Sequence, residues 1–192
     1  TTTDTTQAEV KADGQVDASG NVAATIPEKA VEDAIKKAED EAKKNGTSNN
    51  GITLVLNVNT GGKAASSVTV NLPKVTQEMI IDKKIVNTVI VVDNPNIRVG
   101  MDLTAIREIN RQAQADVNIT AARMDNSKLT GDAKAAIGSR PVFDLSASYG
   151  TNRVQNFGAG TVCITIPYTL QKGEAAGGLY AVYVDSNGNV SY

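Results

Sequence analysis

The chain has 192 residues, of which 41% are hydrophobic and 21% are charged, and its net charge at neutral pH is −2. This composition supports a hydrophobic core and argues against a disordered chain. Nucleic-acid binding needs a basic face, so the slight negative charge argues against a nucleic-acid partner. No apolar run approaches the roughly 20 residues of a membrane helix, and we expect no membrane span.

Histidine is absent, and Cys163 is the only cysteine. Without histidine, Ser-His-Asp and Cys-His catalysis and the usual zinc ligand sets are ruled out. Catalysis by carboxylates alone does not need histidine. The 21 acidic residues are scattered, however, and their pattern selects no catalytic pair. We therefore expect a protein that is not an enzyme, with no catalytic residue, cofactor or metal site. Cys163 is interpreted as a small, partly buried residue in the middle of a strand.

The N-terminal part of the chain contains a polar segment, a turn and a helix. Residues 1–15 are polar and Thr-rich, which predicts a linker or frayed segment before a single β-rich domain over 16–192. Residues 16–22 predict a hairpin turn. Pro27 favours the start of a helix that continues to Lys44. Its apolar residues form one stripe at helical spacing, namely Ala30, Val31, Ala34, Ile35, Ala38 and Ala42.

The remainder of the chain alternates strands with short helices. Apolar and polar residues alternate over 52–58, 68–72, 143–149 and 162–168. Residues 88–92 are apolar on both faces and predict an interior strand. Helices are predicted over 75–84, after an N-cap at Asp102, and over 130–137. The pattern favours a mainly β (α+β) fold, built as an antiparallel sheet or β-sandwich with inserted helices packed on one side.

One strand carries the candidate binding residues. Asp144, Ser146 and Ser148 alternate with apolar neighbours and predict a polar strand face of the kind a glycan contacts. The chain has only seven aromatic residues, several of which the core needs, so a stacking platform for sugars is not expected. Residues 158–160 precede a strand rather than a helix, which predicts a tight bend instead of a phosphate-binding loop.

Two further kinds of site stay open from the sequence. A buried Lys–Asn isopeptide crosslink would draw on Lys74 or Lys83 with Asn71 or Asn118, but spacing does not select a pair. Oxygen ligands near glycine, over 13–21 and 185–189, suit calcium only with a bidentate acid at the end of the loop. Both segments are better interpreted as plain turns.

Four blocks of the chain carry a resemblance to a known group of proteins. The first is residues 21–25 with the helix that follows, and the second is AAIGSRPVFDLSASY at 135–149. The third is FGAGTVCITIPYTLQKGE at 157–174, and the fourth is GGLYAVYVDSNGNV at 177–190. With these blocks, the chain from Gly20 onward resembles a module of large cell-surface proteins of Clostridia and related Firmicutes. That module often stands near surface-layer-homology or Ig-like repeats.

The resemblance implies an extracellular, cell-wall or cell-surface location and a role as a non-catalytic spacer or adhesion module. Neighbouring modules of the same polypeptide would be its partners. The group has a distant likeness to the β-sandwich domain of ankyrins and netrin receptors. Some of those domains cleave themselves at a His-Phe-Ser site, and this chain has no histidine for that reaction. The alternative is a carbohydrate- or protein-binding module of a surface or cellulosome-like assembly, with cell-wall glycan or a host or protein ligand.

The resemblance and the final residues together lead to an expectation about the end of the chain. Members of the group continue beyond the position of Tyr192, so the domain is expected to be truncated at its C-terminal end. Residues 179–184 are predicted to pair with an earlier strand on one side. Their other side is expected to remain an open edge, paired across a dimer, covered by the N-terminal tail or left in solvent.

Overall fold

A computed structural model describes residues 4–129, 131–184 and 189–191. The fold is α+β, with 37% strand and 30% helix, which confirms the α+β class. The helices are α1 (Glu28–Asn45), α2 (Lys74–Asp82), α3 (Leu103–Ala113) and α4 (Gly131–Ile137). The strands are β1 (Thr6–Asp13), β2 (Gln15–Val16), β3 (Asn21–Thr25), β4 (Ile52–Asn59), β5 (Ser67–Leu72), β6 (Asn87–Val92), β7 (Ile97–Asp102), β8 (Val117–Met124), β9 (Val142–Tyr149), β10 (Asn152–Arg153), β11 (Val162–Thr165), β12 (Tyr183–Val184) and β13 (Val190–Ser191).

The longer strands form two sheets. Sheet A has the order β1-β4-β6-β7-β11, and sheet B has the order β10-β9-β8-β5-β3-β2. The prediction of an antiparallel sheet is wrong, because β1 with β4, β4 with β6 and β3 with β5 all pair in parallel. Alternation of apolar and polar residues reports which face of a strand is buried, but it does not report the direction of the neighbouring strand.

Two of the three parallel pairs, β3 with β5 and β4 with β6, arise from a unit that occurs twice. In the first copy β3 leads through Ile26-Pro27 into α1 and then β4, and in the second β5 leads through Leu72-Pro73 into α2 and then β6. Both prolines occupy the N-cap with extended backbone, where a missing N–H costs no hydrogen bond. Each unit therefore starts in sheet B and ends in sheet A, and the two units lie side by side in both sheets.

The N-terminal segment belongs to the fold. The predicted linker at 1–15 is wrong over Thr6–Asp13, because these residues form β1 and pair in register with all eight residues of β4. Ala8, Val10 and Ala12 are buried, whereas Glu9 and Lys11 point outward. The weak β propensity of alanine hides this strand in the sequence, and helix α1 packing against β1 supplies the burial that stabilises it.

The chain passes from one sheet to the other at both lateral edges. At one edge, Gly14 connects β1 of sheet A to β2 of sheet B. A Cβ on Gly14 would lie 2.4 Å from Val22 Cγ1, so only glycine fits this corner. At the other edge, residues 154–161 connect β10 of sheet B to β11 of sheet A. We call residues 154–161 the strap.

The strap is fastened to both ends of helix α3. Gln112 donates from Nε2 to Asn156 O at 2.8 Å and accepts at Oε1 from the Gln155 N–H at 2.8 Å. At the helix start, Asp102 accepts from Ala105 N at 2.7 Å, which confirms the predicted N-cap. Its second oxygen accepts from Thr161 N at 2.9 Å. One carboxylate thus caps the helix and holds the strap.

The inner faces of both sheets contribute to one hydrophobic cluster with α1, α2 and α3. The apolar stripe of α1 is confirmed, since Val31, Ile35, Ala38 and Ala42 are buried. The prediction that 88–92 is interior on both faces is wrong in part. Strand β6 is central in sheet A, but Val89 and Val91 on its outer face are only half-buried.

We expect Thr88→Val to stabilise the fold. The Thr88 side chain is fully buried, and its hydroxyl has no hydrogen-bond partner among the described residues. Valine has nearly the same shape and removes the cost of a buried unpaired hydroxyl, so the free energy of unfolding should rise by about 1 kcal/mol. Thermal and urea unfolding measure it. Thr53→Val is the matched control, because Thr53 Oγ1 bonds Thr5 Oγ1 at 2.6 Å and its loss should bring no gain.

The C-terminal region differs from the prediction in two ways. Strand β12 covers only Tyr183–Val184, and among the described residues it pairs with β13 and with no earlier strand. The N-terminal tail, one of the three covers expected for this edge, lies in sheet A instead. Cys163 does lie in a strand, β11, but it is exposed rather than partly buried, because β11 is the last strand of its sheet. Residues 185–188 of the turn predicted at 185–189 lie outside the described residues.

Candidate functional site

The outer face of sheet B is mainly polar, with Ala23 and Ala122 as apolar residues within it. We call it the polar face, and it comprises Asn21, Ser67, Thr69, Asn71, Asn118, Thr120, Asp144, Ser146 and Ser148. These residues alternate with buried ones such as Val68, Val70 and Ile119, so they share the side of the sheet opposite the core.

Strand register places the polar residues in rows that run across the sheet. One row joins Thr69, Thr120 and Ser146, and the next joins Asn71, Asn118 and Ser148. The three predicted candidates, Asp144, Ser146 and Ser148, therefore do lie on one face, half-buried along β9. The sequence analysis missed the members on β3, β5 and β8, although polar residues also alternate with apolar ones there.

Side chains of neighbouring strands bond to one another across the polar face. Asn71 Nδ2 donates to Asn118 Oδ1 at 2.9 Å, and the Oγ1 atoms of Thr69 and Thr120 lie 3.0 Å apart. Ser67 Oγ donates to Asn21 Oδ1 at 2.7 Å. These bonds fix the side chains in position, so a ligand would meet a surface that loses little entropy on binding.

The central rows of the polar face are uncharged, and charge lies at the margin. Asp144 is about two-fifths exposed and pairs with Arg153 Nη2 at 3.5 Å. The amide pair leaves Asn71 Oδ1 as an acceptor and Asn118 Nδ2 as a donor, without another partner among the described residues. The face thus offers both hydrogen-bond donors and hydrogen-bond acceptors from hydroxyl and amide groups. It suits a neutral, hydroxyl-rich ligand better than a highly charged one.

A shallow groove of about 360 Å³ adjoins the polar face at the β2–β3 hairpin. Its lining comprises Gln15, Val16, Asp17, Asn21, Val22, Ala23 and Thr69. The predicted hairpin is confirmed, with Val16 opposite Val22. Hydrogen bonds from the side chain and backbone N–H of Asn21 lower the pKa of Asp17, so this carboxylate is ionised and engaged in forming the turn.

The described residues do not assemble the isopeptide site, and residues 185–188 of the second calcium candidate lie outside them. Lys74 pairs with Glu78 at 3.5 Å and Lys83 with Glu39 at 3.1 Å, both at the surface, while Asn71 bonds Asn118. The lysines and asparagines named for an isopeptide bond therefore do not meet in a buried crosslink. Across residues 4–129, 131–184 and 189–191, three or more Asp, Glu, Cys or His residues do not gather in a metal-binding arrangement.

A second polar cluster joins two of the sequence blocks that carry the resemblance. Glu174 accepts from Tyr168 Oη at 2.5 Å, from Gln171 N at 2.8 Å and from Arg140 Nε at 2.9 Å. These bonds, that of Tyr168 first, lower the pKa of Glu174, and the same bond raises the pKa of Tyr168. The cluster fastens the loop after β11 to the turn before β9, which is a structural role.

We expect the Glu174 cluster to make stability depend on pH. The folded state lowers the pKa of Glu174 below its usual 4.5, so the carboxylate stabilises the fold above that pH and loses this contribution as pH falls through the folded pKa. Wild type should melt higher than Glu174→Gln at pH 7, and the gap should narrow as pH falls below 4.5 and close as it passes through the folded pKa. Melting curves at pH 7, 5, 4 and 3 measure the gap. A gap independent of pH would contradict the assignment.

Comparisons with protein-family models, with curated proteins and with solved structures found no match. Among the described residues, no helix has the length and apolar character needed to cross a membrane.

Proposed function

We propose that this protein is a non-catalytic module of a bacterial cell-surface protein, with a spacer or adhesion role, and that it makes its contact through the polar face. The main support for this proposal is that the polar side chains of that face lie in rows across the sheet. Hydroxyl and amide side chains of three adjacent strands lie in rows on one half-exposed surface, and cross-strand hydrogen bonds join those of β5 to those of β8. The four sequence blocks support a surface module as the context.

The connections between the sheets support a spacer role. The chain crosses from sheet A to sheet B at one lateral edge through Gly14 and returns at the other through the strap. Strand β1 adds an eight-residue parallel ladder with β4. A module with both edges joined resists local opening, because separating the sheets must break these connections.

Localisation of the parent protein tests the proposal. Intact cells of the source organism are treated with protease, and peptides of this module are sought by mass spectrometry in the released fraction. We expect release from intact cells, with a cytosolic enzyme as the control that stays inside. Recovery of the parent protein only in the cytosolic fraction would contradict a surface role.

A carbohydrate-binding role is the second candidate, and the uncharged rows of the polar face favour it. A glycan array with purified cell-wall glycans is the direct test. Thr69→Val combined with Thr120→Val removes both hydroxyls without changing side-chain shape, and should weaken glycan binding by about tenfold or more. Thr53→Val on the outer face of sheet A is the matched control and should bind like wild type. Equal binding by all three proteins would exclude the polar face as the contact surface.

We further propose that the two sheets face each other as a β-sandwich with the helices on one side. Each sheet has one buried face, and both faces contribute to a single cluster. The chain crossings at both edges favour the same arrangement. A crystal structure tests it, since sandwiched sheets would lie about 10 Å apart face to face. Inner faces separated by a layer of helices would contradict it.

A further inference from the structure

Strand β11 forms an open edge of sheet A. It pairs with β7 in antiparallel register, with Cys163 opposite Gly100, and the described residues place no strand on its other side. Asp102 N donates to Thr161 O at 3.1 Å in the same ladder. Since hydrogen-bonding direction alternates along an antiparallel strand, the N–H and C=O groups of Val162 and Ile164 point away from β7 toward the open edge.

The inner face of sheet A is incomplete at this edge. Val162 lies opposite Met101 and Ile164 opposite Val99, and those partners on β7 are 2% and 6% exposed. Residues directly opposite share a face, so Val162 and Ile164 point to the core side. Ile164 is nevertheless 42% exposed, because no strand of the described part of the chain lies beyond β11 to cover it.

A recurring sequence element shows the same gap. Ile26-Pro27 follows β3, and Leu72-Pro73 stands at the end of β5. A third pair of this kind, Ile166-Pro167, follows β11. Ile26 and Leu72, the apolar members of the first two pairs, are 1% and 0% exposed. Ile166 in the third pair is 38% exposed. By comparison with the two earlier pairs, Ile166 should be buried, but the described residues leave it exposed.

Charge does not protect this edge. Native proteins usually guard open edges with lysine, inward-pointing charge or proline inside the strand. Here the chain carries no charged side chain between Arg153 and Lys172, and Pro167 stands after the strand rather than within it. Two copies of β11 can therefore approach each other without like-charge repulsion from their own segments.

We propose that two copies of this chain associate through β11, paired antiparallel about a two-fold axis at Ile164. In this register Ile164 pairs with Ile164 of the second copy, and Val162 pairs with Ile166 of the second copy. Val162 and Ile164 direct their backbone groups outward and their side chains to the core side, and extending β11 by one residue would give Ile166 the same orientation. The result is one sheet of ten strands, with sheet A of each copy continuing the other.

The size of the contact predicts its strength. A strand pair of about five residues buries much less than the roughly 1,600 Å² of a standard stable interface. The dimer should therefore be weak, with monomer and dimer exchanging as the concentration rises through the micromolar to millimolar range.

The single cysteine supplies a direct probe. In the proposed register the two Cys163 residues are diagonal neighbours on the outer face, about 7–8 Å apart and somewhat closer between their Cβ atoms. A bis-maleimide with a spacer of about that length should yield a covalent dimer, and sedimentation equilibrium should show reversible dimerisation. Ile164→Lys places two like charges directly opposite and should weaken the dimer by at least about tenfold. Val75→Lys is the matched control, since Val75 is a 46% exposed apolar residue on α2.

Three outcomes would overturn the proposal. One is a monomer at all concentrations up to the millimolar range. Another is crosslinking that persists unchanged in Ile164→Lys, which would show random collisions of an exposed thiol. The third is a dimer that Val75→Lys disrupts and Ile164→Lys does not. Because Ile164 is partly exposed, the lysine variant is expected to fold, and its melting curve checks this.

Discussion

Gly160→Ala should destabilise the protein by about 3 kcal/mol, which for a domain of this size lowers Tm by roughly 6–12 °C. A Cβ at Gly160 would lie 2.3 Å from Ala105 N and 2.5 Å from Ala105 Cα, both backbone atoms of helix α3. These atoms cannot move aside like the end of a side chain. The strap must lift from the helix, which also strains the bond from Thr161 N to Asp102.

Thermal unfolding and hydrogen exchange measure the effect of Gly160→Ala. We expect amide protection to fall first at residues 157–165, since β11 depends on the docked strap. Gly177→Ala is the matched control, because a Cβ there meets no atom within 4 Å. If both variants melt like wild type, the strap is not held against α3 as described.

Gln77→Ala should cost about 3 kcal/mol as well, by loss of buried hydrogen bonds and a small cavity. Gln77 is fully buried, and its Nε2 donates to Leu72 O and Ala115 O, both at 3.0 Å. Its Oε1 accepts from Asn110 Nδ2 at 3.3 Å. The Gln77 side chain thus connects the end of β5 with helix α3 and with Ala115, just before β8.

Urea unfolding of three variants separates the causes. Gln77→Met restores volume without the hydrogen bonds, so it should recover only part of the loss. Glu78, the neighbour of Gln77 on α2, forms an exposed ion pair with Lys74. Glu78→Ala should therefore change stability by less than about 0.5 kcal/mol. A Gln77→Met variant as stable as wild type would show that the polar bonds contribute nothing.

Local chemistry in the sequence predicted much of the fold. The stripe of α1, the cap at Asp102 and the turn before β3 each depend on residues close together in the chain, and all three are confirmed. Strand β1 and the parallel pairings depend on distant partners. The repeated Ile-Pro and Leu-Pro pairs, at Pro27 and Pro73, were the signal of the duplicated unit, and periodicity analysis does not detect them.

The candidate site was likewise predictable only where it depends on residues close together in the chain. Alternation along β9 placed Asp144, Ser146 and Ser148 on one face, but the extent of the polar face depends on how β5 and β8 align with β9. Sequence alone does not set that register, because a shift by two residues preserves the alternation. The exposure of Cys163 likewise depends on the position of β11 at the edge of its sheet, which no local pattern records.

Mapping the contact surface by NMR tests whether the polar face is the binding surface. Soluble fragments of the cell wall of the source organism are titrated into the labelled protein, and amide shift changes are followed residue by residue. We predict changes confined to β5, β8 and β9 and to the groove beside Asn21, and their loss in the Thr69→Val, Thr120→Val double variant. Changes centred on the outer face of sheet A, or an unperturbed polar face under saturating ligand, would contradict the account.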